Sequence, residues 1–373
     1  MKLDNNLQAF FALVRAGLWE GEVRLATFEK IDYQEVYRLA EEQSVLGLVT
    51  AGIEHIVDAK APQDDVLQFV GSALELEQQN MAMNDFVAKL IERLRKEDIY
   101  AVLVKGQGIA QCYERPLWRT SGDVDLLLSD ENYEKAKKSL IPSARDIEQE
   151  YKSFKHIGMT MEGEYVVELH GTLHSRLSKR VDSVIDEVQN DVLCGGKVRS
   201  WNNNGITVFL PSPDNDVIFI FTHILHHFYI EGIGLRQICD WCRLLWTYKD
   251  SLNHELLESR IRKAGLMSEW KAFTALAVDL LGMPADAMPL YSSEKKWSRK
   301  ADKILAFVLE VGNFGHNRSQ TVSENYVSRK IVSLWNKAKD FGRHARIFPM
   351  DSFKFFWHFL WNGVELSIIN NKT

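Results

Sequence analysis

The sequence predicts an α+β protein, with a central layer of strands interspersed with helices and a helical region on either side of it. Three observations lead there. Over roughly the first hundred residues, apolar side chains recur at helical three-four spacing. Short apolar, β-prone runs then alternate with polar helical stretches as far as Leu210. From Pro211 onward the helical spacing returns. The boundaries that follow are 1–96 for an N-terminal helical region, 97–211 for the strand-bearing core and 212–373 for a C-terminal helical region.

Taken in order, Leu7, Phe10, Phe11, Val14 and Leu18 fall on one helical face. A longer amphipathic pattern covers 62–96 and ends in Arg93-Leu94-Arg95-Lys96, where cations suit the negative end of a helix. Tyr100-Ala101-Val102-Leu103-Val104 reads as a buried strand ending at Lys105-Gly106, followed by a helix over 107–113. Asp123-Val124-Asp125-Leu126-Leu127-Leu128 is a second strand, stopped by Ser129-Asp130, either of which can cap a helix over 132–140. Tyr165-Val166-Val167-Glu168-Leu169-His170 and Ile206-Thr207-Val208-Phe209-Leu210 are two more strands. A helix spans 214–229, and Leu235, Ile238, Cys239, Cys242, Leu245 and Trp246 form the apolar stripe of the next. There is no internal repeat or low-complexity segment.

The chain of 373 residues, 46% apolar and 26% charged, has the composition of a folded globular protein with two or three packed units. A net charge of −6 excludes a broad basic field, so no strong nucleic-acid signature is present, although a local basic groove is compatible with it. The opening residues lack the charged-then-apolar plan of a signal peptide, and no run of roughly 18 apolar residues offers a membrane span. Cys112, Cys194, Cys239 and Cys242 are too few and too scattered for a secreted disulfide framework. A cytoplasmic protein is expected.

The chemistry centres on Asp123 and Asp125. Residues two apart on a strand project to one face, with Cα atoms about 6.6 Å apart, so both carboxylates can converge on one cation or a close pair. Left uncompensated, like charges about 4 Å apart repel by roughly 4 kcal/mol in a surface-like dielectric. Oxygen ligands favour a hard ion, Mg²⁺ or Mn²⁺. The spacing alone is unspecific, since Glu20 with Glu22 and Glu162 with Glu164 share it, and a solvated turn would also account for the two acids. Context separates them: Val124, Leu126 and Leu128 form an apolar opposite face. Glu168 shares its strand face with Val166 and His170, a face that either lines a site or meets water. Lys105-Gly106-Gln107 stands at a strand-to-helix junction, where Gly106 permits close backbone approach and Lys105 adds a positive charge; an ordinary turn reads the same way.

In that order, the stretch from Val104-Lys105-Gly106-Gln107 through Arg119-Thr120-Ser121-Gly122-Asp123-Val124-Asp125-Leu126-Leu127 resembles the uncharacterised bacterial nucleotidyltransferase family of the polymerase-β-like superfamily. Val167-Glu168-Leu169-His170 is similar to that family's later Glu/Asp-Leu-His strand. His223 and Leu235-Arg236-Gln237-Ile238-Cys239-Asp240 resemble its helical His and Leu-Arg-x-x-x-Asp patterns, and the likeness spans roughly 100–246. The resemblance implies a nucleotidyltransferase-type mixed β-sheet core. It implies transfer of a nucleoside monophosphate from an NTP to an acceptor, whether small molecule, protein or RNA end. Asp123, Asp125 and Glu168 would be the catalytic metal ligands, holding two Mg²⁺ ions about 3.5–4 Å apart. Lys105, Gly106, Gln107, Arg119 and His223 would contact the nucleotide. The chain departs from the superfamily's usual Gly-Ser pair, having Gly106-Gln107, and the gap from Gly106 to Asp123 is longer than in compact members. Two other readings remain: a non-catalytic nucleotide-binding or interaction module that keeps the fold, and the toxin half of a toxin–antitoxin pair.

Other signals have plainer explanations. Cys239 and Cys242 have Cys-x-x-Cys spacing but no second pair, and both fall on an apolar stripe, so core packing is expected. His223, His226 and His227 cluster on one helix with metal-ligand spacing, yet Ile224 stands where a metalloprotease helix has its Glu. His170 and His174 are similarly open. The aromatic stretch 353–361 reads as a helix packed on the body rather than an interfacial anchor.

Overall fold

The structure, a computed structural model, describes residues 4–151, 155–313 and 339–357. Helix α1 (Asn5–Trp19) begins at Asp4, whose carboxylate accepts the Leu7 N–H at 2.8 Å, and buries the Phe10, Phe11, Val14 and Leu18 face its spacing anticipates. Helices α2 (Tyr33–Glu42) and α3 (Leu46–Glu54) follow. Helices α1 and α3 approach so closely that a Cβ on Gly17 would lie 1.9 Å from the Leu48 carbonyl oxygen, and one on Gly52 2.1 Å from that of Leu13. Helix α4 (Gln63–Lys96), with Arg93, Arg95 and Lys96 in its last turn, is about 51 Å long at 1.5 Å per residue and runs alongside the sheet.

The sheet is formed by β1 (Val102–Val104), β2 (Val124–Leu127), β3 (Asp146–Ile147), β4 (His156–Thr160) and β5 (Val166–His170), in the order β1-β2-β5-β4-β3. Strands β2 and β5 run parallel; the other neighbours are antiparallel. The connections include α5 (Gly106–Ala110), a 3₁₀ turn at Pro116–Trp118 and α6 (Asp130–Leu140). The architecture is thus the expected mixed sheet with flanking helices. One face of it, carrying Val124, Leu126, Leu128, Ile157, Met159, Val167 and Leu169, packs on Val87, Leu90, Ile91 and Leu94 of α4 and on Tyr133 and Leu140 of α6. Because side chains alternate along a strand, Asp125, Glu168, His170 and His156 share the other face.

Beyond the sheet come α7 (Lys179–Leu193), a hairpin of β6 (Val198–Asn203) and β7 (Ile206–Pro211), and helices α8 (Pro213–Ile230), α9 (Leu235–Thr247), α10 (His254–Ala264), α11 (Met267–Asp279) and α12 (Lys295–Val311). Helices from both ends of the chain share one apolar core, in which Phe10, Phe11 and Val49 join Phe221, Trp241 and Trp270. Arg243 ties them further: its Nη1 donates to the Leu18 carbonyl at 3.0 Å and its Nε to that of Cys112 at 2.8 Å.

The sequence reading passes over β3, β4 and β6. Strand β3 has two residues, β4 is interrupted by Gly158, and β6 is a half-exposed run of Val-Arg-Ser-Trp-Asn-Asn, so none shows a sustained apolar alternation. Helix α5 ends at Ala110, earlier than 113. Ser129 is the cap of α6, its hydroxyl accepting the Asn132 N–H at 3.3 Å. In the aromatic stretch, Phe355 is buried and Phe353 and Trp357 are exposed, while 358–361 lie outside the described residues. Among the described residues no helix is long and apolar enough to cross a membrane.

Alanine for glycine inside a helix ordinarily adds about 0.5–1 kcal/mol of stability. At Gly52 the backbone of α1 occupies the space a methyl needs. We therefore expect Gly52→Ala to destabilise the protein by about 1–3 kcal/mol or more in denaturant unfolding.

Candidate active site

The parallel register of β2 and β5 sets Asp125 directly beside Glu168. Asp125 is 4% exposed, whereas Asp123, one residue before β2, lies at the solvent-facing mouth of the strand. The three carboxylates feel one another. Partial burial, then the charges of Glu168 and Asp125, raise the Asp123 carboxyl to about 6. Burial also acts to raise Glu168, but hydrogen bonds from His156 and His170 and the charge of Lys105 outweigh it and hold the carboxyl well below the usual range.

Lys105 supplies the nearest cation, with Nζ 2.7 Å from Asp125 Oδ1. Burial disfavours its charge, yet Asp125 and Glu168 more than compensate and raise its affinity for the proton. Its backbone has φ 59° and ψ −152°, a conformation disfavoured for a residue with a Cβ. Gly106, at φ 45°, completes the turn, and a Cβ there would sit 3.2 Å from the Asp123 carbonyl oxygen. The Lys-Gly turn thereby lies close against the backbone of the Asp-x-Asp segment.

Two histidines close the far side. His170, on β5, donates from Nε2 to Asp125 Oδ1 at 2.8 Å, and the same nitrogen is 3.4 Å from Glu168 Oε2. His156, directly across from His170 on β4, lies with its Nε2 3.3 Å from the same Glu168 oxygen. Burial opposes a charge on His170, but Asp125 and Glu168 raise its affinity for a proton. His156 was not among the residues singled out in the sequence; its strand offers only Ile157 and Met159 as apolar alternates, with Gly158 between them, too short a pattern to mark it.

The remaining motif residues hold the loop that leads into β2. Arg119 makes a bidentate pair with Asp240 of α9, Nε to Oδ1 at 2.8 Å and Nη2 to Oδ2 at 2.7 Å, and its Nη1 donates to the Thr120 carbonyl at 3.1 Å. Tyr113 donates a third bond to Asp240, at 2.8 Å. Arg119 thus holds the loop that leads into β2 against Asp240 of α9. Gln107 is turned the same way: its Nε2 donates to Asn84 Oδ1 at 2.8 Å and to Asn80 Oδ1 at 3.3 Å, both on α4. Asn80 donates in turn to the Leu117 and Arg119 carbonyls at 2.7 and 2.8 Å and accepts from the Ser121 hydroxyl. Asn80 had no signal in the sequence, being one polar residue on a mostly polar helix.

Arg236 is the cation that motif spacing noted without a role. Its Nη1 donates to the Thr120 carbonyl at 2.8 Å, its Nε is buried without a partner, and burial beside Arg119 lowers it to about 10. Arg236 and Asp123 each feel the other's charge, and the guanidinium is hydrogen-bonded to Thr120, three residues before Asp123. His223 is neutral, its proton affinity lowered well below normal by burial and then by Lys105 and His227. Its Nε2 lies 3.1 Å from that of His227, whose Nδ1 meets Glu231 at 2.8 Å. His226 donates from Nδ1 to the Ser175 carbonyl at 2.6 Å, and His174 pairs with Asp186 at 2.6 Å. Cys239 and Cys242 are fully buried, free thiols in the core.

The Asp240 carboxylate has both arms in use and is 5% exposed, so its removal strands the buried Arg119 charge. Asp240→Ala is expected to cost about 3–5 kcal/mol in chemical denaturation, far more than an exposed ion pair would.

With this geometry described, comparisons with known proteins locate the chain. A family model described as an uncharacterised nucleotidyltransferase matches residues 29–282. Among solved structures, the chain is similar to an antigenic nucleotidyltransferase-like protein from Paracoccidioides brasiliensis, at 16% identity over 54% of this chain and 92% of that one; a TM-score of 0.32 is too low to argue from. No curated protein matches. The matched span runs from the segment before α2 to the end of α11 and takes in Lys105, Asp123, Asp125, Glu168, His223 and Asp240, and the chain belongs to this uncharacterised nucleotidyltransferase family.

Proposed function

We propose that the protein transfers a nucleoside monophosphate from a nucleoside triphosphate to an acceptor, releasing pyrophosphate, with Mg²⁺ or Mn²⁺ as cofactor. The observation that carries this reading is the in-register placement of Asp125 beside Glu168, with Asp123 two residues upstream on the same strand path. The donor set fits a divalent cation. Burial and then the charges of Glu168 and Asp125 raise Asp123 to about 6, and three neighbouring carboxylates outnumber the single Lys105 ammonium, so a dication supplies the missing positive charge.

In the reaction, an oxygen of the acceptor bonds to the α-phosphorus as the bond to the α–β bridging oxygen breaks; pyrophosphate leaves with that oxygen and the acceptor's proton is released. Asp123, Asp125 and Glu168 would hold the cation or cation pair, which when bound would stabilise negative charge on the attacking and leaving oxygens. Lys105 and Arg236 place positive charge on the site's other sides, where a triphosphate carries its own negative charge. Gly106 leaves the backbone bare at the turn, so a phosphate can come close to it. Neutral His223 offers a ring without a competing charge. Arg119, Asn80 and Asp240 hold the loop so that Asp123 keeps its position.

A second reading, a nucleotide-binding module without catalysis, draws on Gln107, whose amide is committed to α4 and takes the place of a phosphate-facing hydroxyl. The two readings part on one measurement, pyrophosphate release with NTPs and an acceptor library. Release under the first is divalent-dependent. Nucleotide binding that needs no divalent ion, with no release, would establish the second.

Asp125→Asn keeps the size and removes the charge. It is expected to lower pyrophosphate release about 10³-fold or more, on the order of 4 kcal/mol of transition-state stabilisation, with an unchanged circular dichroism spectrum. Full activity in this variant would end the proposed chemistry.

Divalent affinity also has a pH dependence of defined sign. A protonated carboxyl cannot serve as a ligand, and Asp123 takes its proton at about 6. Calorimetric titration of Mg²⁺ is therefore expected to show affinity falling as pH drops through about 6, with Asp123→Asn flattening that change.

A further inference from the structure

We infer that His156 and His170 complete the cation site together with Glu168, making it a mixed nitrogen–oxygen site that takes a transition-metal dication, with Mn²⁺ as the probe ion, in preference to Mg²⁺. This deepens the transfer reading and rests on it for the site's role, but not for its ligands.

The geometry begins with β4. Its antiparallel pairing with β5 sets His156 opposite His170 and Gly158 opposite Glu168. Gly158 puts no side chain of β4 directly opposite Glu168, the Glu148 side chain lies over that glycine, and the two rings stand close together, their centroids 4.8 Å apart. Both Nε2 atoms address a single oxygen, Glu168 Oε2, at 3.3 and 3.4 Å. One donor atom from each of the three residues lies within 4.8 Å of the others. Donors bound to a common ion at about 2.1 Å stand roughly 3.0–3.4 Å from each other in tetrahedral or octahedral arrangements. The two nitrogen–oxygen separations of 3.3 and 3.4 Å match that spacing, and the donors of the two rings lie within 4.8 Å of each other. Asp125, already in contact with His170 at 2.8 Å, borders the same space.

The donor chemistry then selects the metal. Mg²⁺ takes oxygen ligands in a strict octahedron and keeps much of its water, whereas imidazole nitrogen is a ligand for first-row transition metals. Mn²⁺, at home among carboxylates, is the lowest of these in affinity, yet it accepts an imidazole more readily than Mg²⁺ does. Two rings converging on the third carboxylate therefore favour a transition-metal dication over magnesium.

The test uses the whole 373-residue chain and needs no activity assay. Mg²⁺ and Mn²⁺ are titrated calorimetrically, and the Mn²⁺-loaded protein is examined by pulsed electron paramagnetic resonance for coupling to ¹⁴N. Expected are tighter binding of Mn²⁺ than Mg²⁺ by about tenfold or more and a nitrogen coupling in the wild type. His156→Gln is expected to weaken the coupling and cost about 10–100-fold in Mn²⁺ affinity. Should that variant fail to fold, the wild-type spectrum decides alone. Equal affinities for both ions with no nitrogen coupling would overturn this inference and leave the transfer reading standing. No binding of either ion, with or without a non-hydrolysable NTP, would overturn both.

Discussion

One pairing governs the rest of the molecule: β2 laid parallel to β5, so that Asp125 stands beside Glu168. Among the described residues it is the one parallel pair of the sheet. Like charges facing each other on neighbouring strands destabilise a sheet, and here they do so on a largely buried face. The surroundings answer that cost. Lys105 meets Asp125, His170 meets both acids, and His156 meets Glu168. Even the disfavoured backbone of Lys105, a strain on the order of 1–3 kcal/mol, follows from bringing its ammonium to Asp125.

Around that centre the protein invests its buried polar groups in a loop. The segment before β2 has no regular backbone ladder, so its carbonyls must find partners among side chains. Asn80 of α4 takes those of Leu117 and Arg119, Arg236 of α9 takes that of Thr120, and Asp240 fixes the Arg119 side chain. Two helices far apart in sequence thus set where Asp123 sits. Since those helices belong to a core shared by both ends of the chain, the position of one of the three carboxylates depends on the packing of the whole.

The carboxylates were legible because strand alternation is a local property. Asp123, Asp125 and Glu168 each stand in a run whose neighbours are apolar, and the face they must occupy follows from period two alone. His170 was legible on the same grounds, though not its role. His156 was not, since Gly158 breaks the pattern of its strand and nothing local ties it to Glu168, from which it is separated by a turn and a reversal of direction. The roles of cations were least legible. Arg119 and Gln107, expected to meet phosphate, are committed to Asp240 and to α4, while Arg236, to which no role had been attached, donates to the Thr120 carbonyl and has a buried Nε with no partner.

The sequence by itself determined the class of fold, the strand faces, the Lys-Gly turn and the identity of the three acids, because each of these is written in the spacing of neighbouring residues. Tertiary structure decided which strand lies beside which, which histidines join Glu168, and which positive group supports the loop and which faces the site. An arginine's partner is chosen by whichever carboxylate packing brings within about 3 Å, and for Arg119 that carboxylate lies 121 residues away along the chain.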